Sequence, residues 1–357
     1  MQLLTRTIKK ARGLAIGVRY GFAFGGYSLV HRQRVTLDIH YFQYSRYFYS
    51  FVKFLTMEGV EVDLRFRPET LYALSQAQYG NMVLTERLVR LVPIGGDRSS
   101  NQVIGDLSGT ITLSPNNFLP SRNSAVYDIP MAQHPLMYSR SLWNRSVESG
   151  KPQPTILFIG NCESEPYSKI DSGGVFNVIG RVRLLEILRR NGLIRELAAG
   201  KDLAGFVCGA VTIIDSSSHK IPMEHFRQTV SEFGFFLCAP GVFMPLCHNL
   251  VEAMSVGVIP LIQRSYAELL EPVLEHGNNA IIFDGEADLI AKVSEALDME
   301  CNQIRSMKQA VLAYYESYLS PHAVVSRVLH SELRAIRMLA GKRSVALLCE
   351  QRAAGSA

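Results

Sequence analysis

The chain has 357 residues, enough for two domains with separate cores. Its 47% apolar and 19% charged residues belong to a globular protein rather than a disordered one. A net charge of +5 is too mild to imply a nucleic-acid partner.

That surplus is placed unevenly. Arg6, Lys9, Lys10, Arg12, Arg19, Arg32 and Arg34 all precede the first acid, Asp38. Gly13–Val30 is apolar but contains Arg19, which is costly inside a bilayer. Residues 1–34 therefore read as a basic leader, either an arm that touches anionic lipid or a loosely packed, solvated segment. Six cysteines with no Cys-x-x-Cys pair give no metal-ligand spacing and suit a reducing compartment.

The first domain is expected over 35–148. Val35–Ile39 reads as a strand, Tyr44–Met57 as an aromatic helix, Gly59 as its stop and Val60–Leu64 as a second strand, which together make a βαβ unit. Thr70–Leu107 is ambiguous between helices and short strands. Thr110–Leu113 and Ala125–Ile129 are further strands. A boundary is expected at Glu148–Pro154, where Gly, Lys and Pro interrupt the pattern.

The second domain, 154–340, opens with the strand Thr155–Ile159, and Gly160 and Asn161 follow at its carboxyl end. A basic helix near Val178–Arg190, a strand at Gly205–Cys208 and a helix near Glu224–Phe233 come next. The densest signal is Phe235–Ile262: an apolar strand, the Pro240-Gly241 turn, a helix, Gly257, and a second apolar strand. Asn279–Phe283 is a strand and Ala287–Leu297 a helix. Ile304–Leu339 reads as helical with a break at Ser320-Pro321, and 341–357 as a loose tail.

Two halves of alternating strands and helices predict an α/β fold with two Rossmann-like domains facing across a cleft. Ligands of parallel sheets sit beyond the carboxyl ends of the strands. His248, Asn249 and Glu252 lie there on one face of an otherwise apolar helix. Lys169 and Arg181 follow Asn161 as cations for a phosphate group; Arg181 and Arg183 cannot share a helix face, so at most one serves. His40, just past the first strand, and His134, in an Ala-Gln-His-Pro turn, are the candidate general bases.

The run Glu252-Ala253-Met254-Ser255-Val256-Gly257-Val258-Ile259-Pro260-Leu261-Ile262 resembles the C-terminal nucleotide-sugar domain of GT-B glycosyltransferases, with an exostosin-like flavour in the Pro- and Gly-containing loop before the helix. The resemblance implies that Glu252 faces the donor ribose and the Gly241 loop the diphosphate. His248, Asn249, Gly160, Asn161 and Arg181 or Lys169 would complete the donor site. Met244 stands where retaining members carry a second Glu, which favours inversion. Cys247 and Asn249 depart from the exostosin-like pattern, which tends to have Ser and Arg there.

The expectation is a glycosyltransferase of polysaccharide or surface-glycan synthesis, without metal or cofactor. It would carry a sugar from a nucleotide sugar to a saccharide or lipid-linked acceptor, in the cytoplasm and peripheral at the inner face of a membrane. A two-domain sugar-nucleotide epimerase, or a non-catalytic Rossmann-like scaffold, remain the alternatives.

Overall fold

The computed structural model describes residues 2–21, 33–40, 45–94, 102–107, 109–114, 120–121, 123–148, 153–167, 176–196, 209–339, 342, 345–346 and 348–350. It divides into two compact units, one of residues 1–117, 121–129 and 321–344, the other of 118–120, 130–320 and 345–357.

The first unit opens with α1 (Gln2–Gly21), then β1 (Arg34–Asp38), α2 (Ser45–Met57) and β2 (Glu61–Arg65). The ambiguous middle resolves into α3 (Pro68–Gln76), α4 (Gln78–Thr85), β3 (Arg90–Val92) and β4 (Gln102–Gly105), followed by β5 (Ile111–Ser114) and β6 (Val126–Asp128). The second unit carries α5 (Pro135–Ser139), β7 (Ile156–Gly160), α6 (Ser164–Tyr167), α7 (Arg181–Arg190), β8 (Ile194–Glu196), β9 (Val211–Asp215), α8 (Met223–Ser231) and β10 (Phe235–Leu237). It continues with α9 (His248–Met254), β11 (Ile259–Gln263), α10 (Arg264–Ala267), β12 (Ile281–Phe283), α11 (Gly285–Leu297), α12 (Cys301–Tyr314) and a π-helical turn at Tyr315–Leu319. The chain then returns to the first unit with α13 (Pro321–His330) and β13 (Ala335–Arg337).

Every strand pairing described in the two sheets is parallel. The first sheet runs β3-β2-β1-β4-β5-β13-β6, and the second β12-β11-β10-β7-β9-β8. Two Rossmann-like α/β units are thus present, as the GT-B resemblance implied. In the first sheet the strand order reverses between β1 and β4; in the second it reverses between β7 and β10. Ligand crevices of open parallel sheets form at the carboxyl ends of such strand pairs.

The cores read as the composition predicts. β7 is buried along its whole length, and Phe235, Leu237, Ile259, Leu261 and Ile262 are fully buried in β10 and β11. Gly257 joins α9 to β11 at φ +72°, a conformation glycine adopts without steric cost. A Cβ there would also lie 2.9 Å from Leu312.

The first sheet departs from an apolar pattern on one face. Asp38 and Asp63 are each 1% exposed. Arg65 and Arg67 donate to Asp38 at 2.7 and 2.8 Å, and Arg90 makes two 2.8 Å bonds to Asp63. These pairings let two carboxylates sit inside the sheet.

Several expectations change. Residues 335–337, read as helix, form β13, because pairing with both β5 and β6 outweighs the helical pattern. The strand expected at Gly205–Cys208 lies outside the described residues, while β8 and β9 occupy that side of the sheet. The leader is helical over 2–21, and residues 22–32 lie outside the described residues. Residues 130–148, assigned from the sequence to the first domain, group with the second unit. Buried Arg227 holds them there, donating to the carbonyls of Leu142, Arg145 and, through its other terminal nitrogen, Ser255. Residues 321–339, assigned to the second domain, group with the first.

Candidate active site

In the first unit, His40 follows β1 and Asp106 follows β4. The two strands are hydrogen-bonded neighbours, with Asp38 opposite Gly105, so both residues emerge at the sheet's reversal point. The His40 backbone N–H donates to both Asp106 carboxylate oxygens at 2.9 and 3.0 Å, and its Nδ1 lies 2.9 Å from Oδ1. Asp106 fixes the backbone and the ring together. A carboxylate cannot donate, so Nδ1 carries the proton and Nε2 keeps its lone pair when the ring is neutral. The His40 side chain is 23% exposed and that of Asp106 9%. Asp38, two residues away, is consumed by Arg65 and Arg67. Sequence reasoning found His40 but missed Asp106, because β4 lies in the stretch that had no clear period.

In the second unit, Gly160 and Asn161 end β7 beside β10, at that sheet's reversal point. Arg181, first residue of α7, is 3% exposed. It stacks 3.8 Å from the Tyr167 ring centroid and donates from Nη1 to the Asn161 carbonyl at 3.1 Å. Its buried Nε has no hydrogen-bond partner among the described residues. Arg183 turns the other way and forms a two-pronged pair with Glu286 at 2.7 and 2.8 Å. The Asn161 side chain caps locally on Glu163. Lys169 lies outside the described residues.

The loop after β10 is closed by its own backbone. Gly241 N–H donates to Pro245 O at 3.2 Å, and a Cβ on Gly241 would lie 2.8 Å from Met244 O. Close packing of the loop accounts for this glycine, and its amide is already used. Asn249 likewise donates its amide to Ile159 O at 2.8 Å, tying α9 to the end of β7.

His248 and Glu252, one turn apart on α9, form a pair with Nδ1 3.0 Å from Oε2. The other carboxylate oxygen accepts the His134 backbone N–H at 2.9 Å. Glu252 is 2% exposed, so it presents no oxygen to a ribose here. The group it presents is His248, whose side chain is 29% exposed. Burial pushes the Glu252 carboxyl up, but the His248 charge and hydrogen bond and the His134 amide together hold it below its ordinary value.

His134 is not a first-domain base. It sits in the second unit, caps α5 by accepting Leu136 N–H on Nδ1 at 3.3 Å, and packs edge-on to His248 with ring centroids 5.3 Å apart. The 118 residues between His134 and Glu252 hid this contact from the sequence.

Asp215 at the end of β9 was also missed. Burial raises its carboxyl, yet the Ser217 N–H and O–H and the Cys162 N–H bring it below the usual range. Burial, then the Asp215 charge, push the Cys162 thiol up to about 11, which makes it a poor nucleophile at neutral pH. Among the described residues no cluster of His, Cys, Asp and Glu is placed to hold a metal ion.

No family model matches the chain, and no curated protein matches it. Solved structures do. HepE of Anabaena, in complex with UDP and glucose, is 9% identical over 83% of this chain and 98% of its own, at a TM-score of 0.40. The spinosyn forosaminyltransferase SpnP is 13% identical over 84% and 98%, at 0.38. MurG of Acinetobacter baumannii is 11% identical over 89% and 99%, at 0.31. At scores below 0.5 these are likenesses only; the chemistry of this chain rests on its own residues.

Proposed function

We propose that this chain is a GT-B-type glycosyltransferase. It transfers a sugar from a nucleotide-sugar donor to a saccharide or lipid-linked hydroxyl, with inversion and without a metal ion, in polysaccharide or surface-glycan synthesis at the cytoplasmic face of a membrane. The observation that carries the reading is the His40–Asp106 pair at the reversal point of the first sheet. A pure binding scaffold has no use for an oriented base, whereas hydroxyl transfer needs one.

In the reaction, His40 Nε2 takes the acceptor hydroxyl proton as the oxygen bonds to the anomeric carbon. The bond from that carbon to the diphosphate breaks, and its electron pair leaves with the nucleoside diphosphate. Asp106 steadies the imidazolium that results. Inversion follows from a single displacement, and Met244 leaves no second Glu of the retaining pattern. In the second unit His248, held by Glu252, faces the donor diphosphate with Nε2, and Arg181 adds positive potential. Glu252 acts through His248 rather than on the ribose. The absence of an Asp-x-Asp motif from the sequence supports cationic side chains in place of a metal.

The test is a thermal-shift panel with UDP, GDP, CMP and dTDP, paired with donor-consumption assays on His40→Ala and Asp106→Asn. Ligand at a hundredfold excess over its dissociation constant stabilises by roughly 2.7 kcal/mol. One nucleotide should shift the wild type and both variants alike, while transfer collapses in the variants. Turnover of the donor sugar without acceptor would favour the epimerase. The absence of any shift would favour the scaffold.

A further inference from the structure

α1 is bound to the first unit by one edge and leaves an opposite face uncovered. The bound edge is set by Gly13 and Gly17. A Cβ on Gly13 would lie 1.9 Å from the Pro68 carbonyl oxygen, and one on Gly17 would lie 2.3 Å from the Phe66 ring. Both glycines are buried. At 100° per residue, Ile8, Ala11, Leu14, Ala15 and Val18 fall together on the other side of the helix. All five are exposed, Ile8 to 45%, Leu14 to 50% and Val18 to 59%. Lys10 borders this stripe on one flank, where it pairs with Glu69 of α3 at 3.5 Å, and Arg12 and Arg19 border it on the other, each of the three cations exposed. No acid occurs before Asp38.

We propose that this face of α1 is a docking surface for an anionic lipid bilayer, with the helix lying in the headgroup plane, its aliphatic stripe inserted and its basic flanks on lipid phosphates. Charge and shape both choose that occupant. An apolar stripe with the exposed guanidinium groups of Arg12 and Arg19 along one edge suits a surface that is apolar below and negative above. A protein partner would need an acidic-rimmed apolar groove, and a second copy of this helix would set cations against cations. The helix lies on the surface rather than across it: no described helix is long and apolar enough to span a membrane. This inference is independent of the transfer chemistry and is read without any activity assay.

The experiment is co-sedimentation of the full chain with vesicles of phosphatidylcholine alone and of phosphatidylcholine mixed with phosphatidylglycerol. Three proteins are compared: wild type, Leu14→Glu/Val18→Glu and Arg12→Gln/Arg19→Gln. The substituted side chains are exposed, and unchanged circular dichroism confirms the fold. Wild type should bind the mixed vesicles and not the neutral ones, with binding weakened by salt. The Arg pair should lose roughly 30-fold in partitioning, from about 1 kcal/mol per cation. The Leu14/Val18 pair should lose at least about tenfold.

Equal binding of wild type and Leu14→Glu/Val18→Glu overturns the proposal, because electrostatics without insertion would then suffice. Failure of wild type to bind mixed vesicles overturns it as well. So does a concentration-dependent dimer without vesicle binding that Leu14→Glu/Val18→Glu abolishes, since the face would then belong to a second copy.

Discussion

Replacing Glu252 tests how the second unit is put together. Its carboxylate is 2% exposed and has two partners, the His134 amide at 2.9 Å and His248 Nδ1 at 3.0 Å. Glu252→Ala deletes both bonds, removes the carboxylate that the part-buried His134 N–H donates to and opens a small cavity. Removing the acceptor of a part-buried donor costs about 1–2 kcal/mol, and the lost bond to partly exposed His248 adds about 1. With the cavity, the variant should lose about 3–4 kcal/mol. Glu252→Gln keeps the acceptor for His134 and demands only the other His248 tautomer, so about 1–2 kcal/mol is expected. The pH dependence has a definite sign. A carboxyl held below its ordinary value contributes stability that is complete above the unfolded pKa of about 4.3 and is lost as pH falls through the folded value. The gap between wild type and Glu252→Ala should therefore be full at pH 7 and shrink in acid below about pH 4. Trp143 is the single tryptophan, packs 6.0 Å from Tyr138 within the second unit, and reports urea unfolding by fluorescence. A Glu252→Ala midpoint within about 0.5 kcal/mol of wild type at pH 7 would refute the reasoning.

His40→Ala and Asp106→Asn should each lower transfer by about 10²–10⁴ with nucleotide binding intact, measured by donor consumption beside thermal shift. Gly13→Ala places a methyl group on the Pro68 backbone; hydrogen exchange should show α1 losing protection while β1 and β2 keep theirs. Arg227→Met removes the donor to three carbonyls and should cost about 2–4 kcal/mol, with Trp143 emission moving red as 142–145 loosen. Lys308, whose ammonium donates to Phe233 O at 3.0 Å, is pulled down to about 8 by burial. The unfolded chain then binds more protons between about pH 8 and 10.4, so stability should rise with pH there, by on the order of 3 kcal/mol. Lys308→Met should lack that rise in urea titrations at pH 7.5 and 10 (roughly the two limits of the window).

The elements that could be read from sequence were those whose local chemistry and tertiary role agree. Phe235–Ile262 combines two apolar runs, a Pro-Gly turn and a stop glycine, and it folds as β10, α9 and β11. β8 has only three residues, none of them buried, so no periodicity marks it. β13 sits in a stretch with a helical pattern, and only its two flanking strands make it extended. Polar groups of the site were recognisable as exceptions to apolar surroundings, as with His40, His248 and Glu252. Their partners were not, since Asp106 and His134 lie 66 and 118 residues away. Direction was equally hidden: Arg181 turns inward onto Tyr167, whereas Arg183 turns outward onto Glu286.

β13 also bears on how the chain is made. It enters the first sheet between β5 and β6, and it is the strand through which those two are joined. A ribosome releases the chain from its amino end, so β5 and β6 wait through some 200 residues of synthesis before their common neighbour exists. Through that interval each has an open flank able to template a foreign strand. The second sheet lies within residues 156–283 and has no such delay. The later unit in sequence is therefore the first able to complete its sheet, and the nascent first unit is where a holdase has work to do.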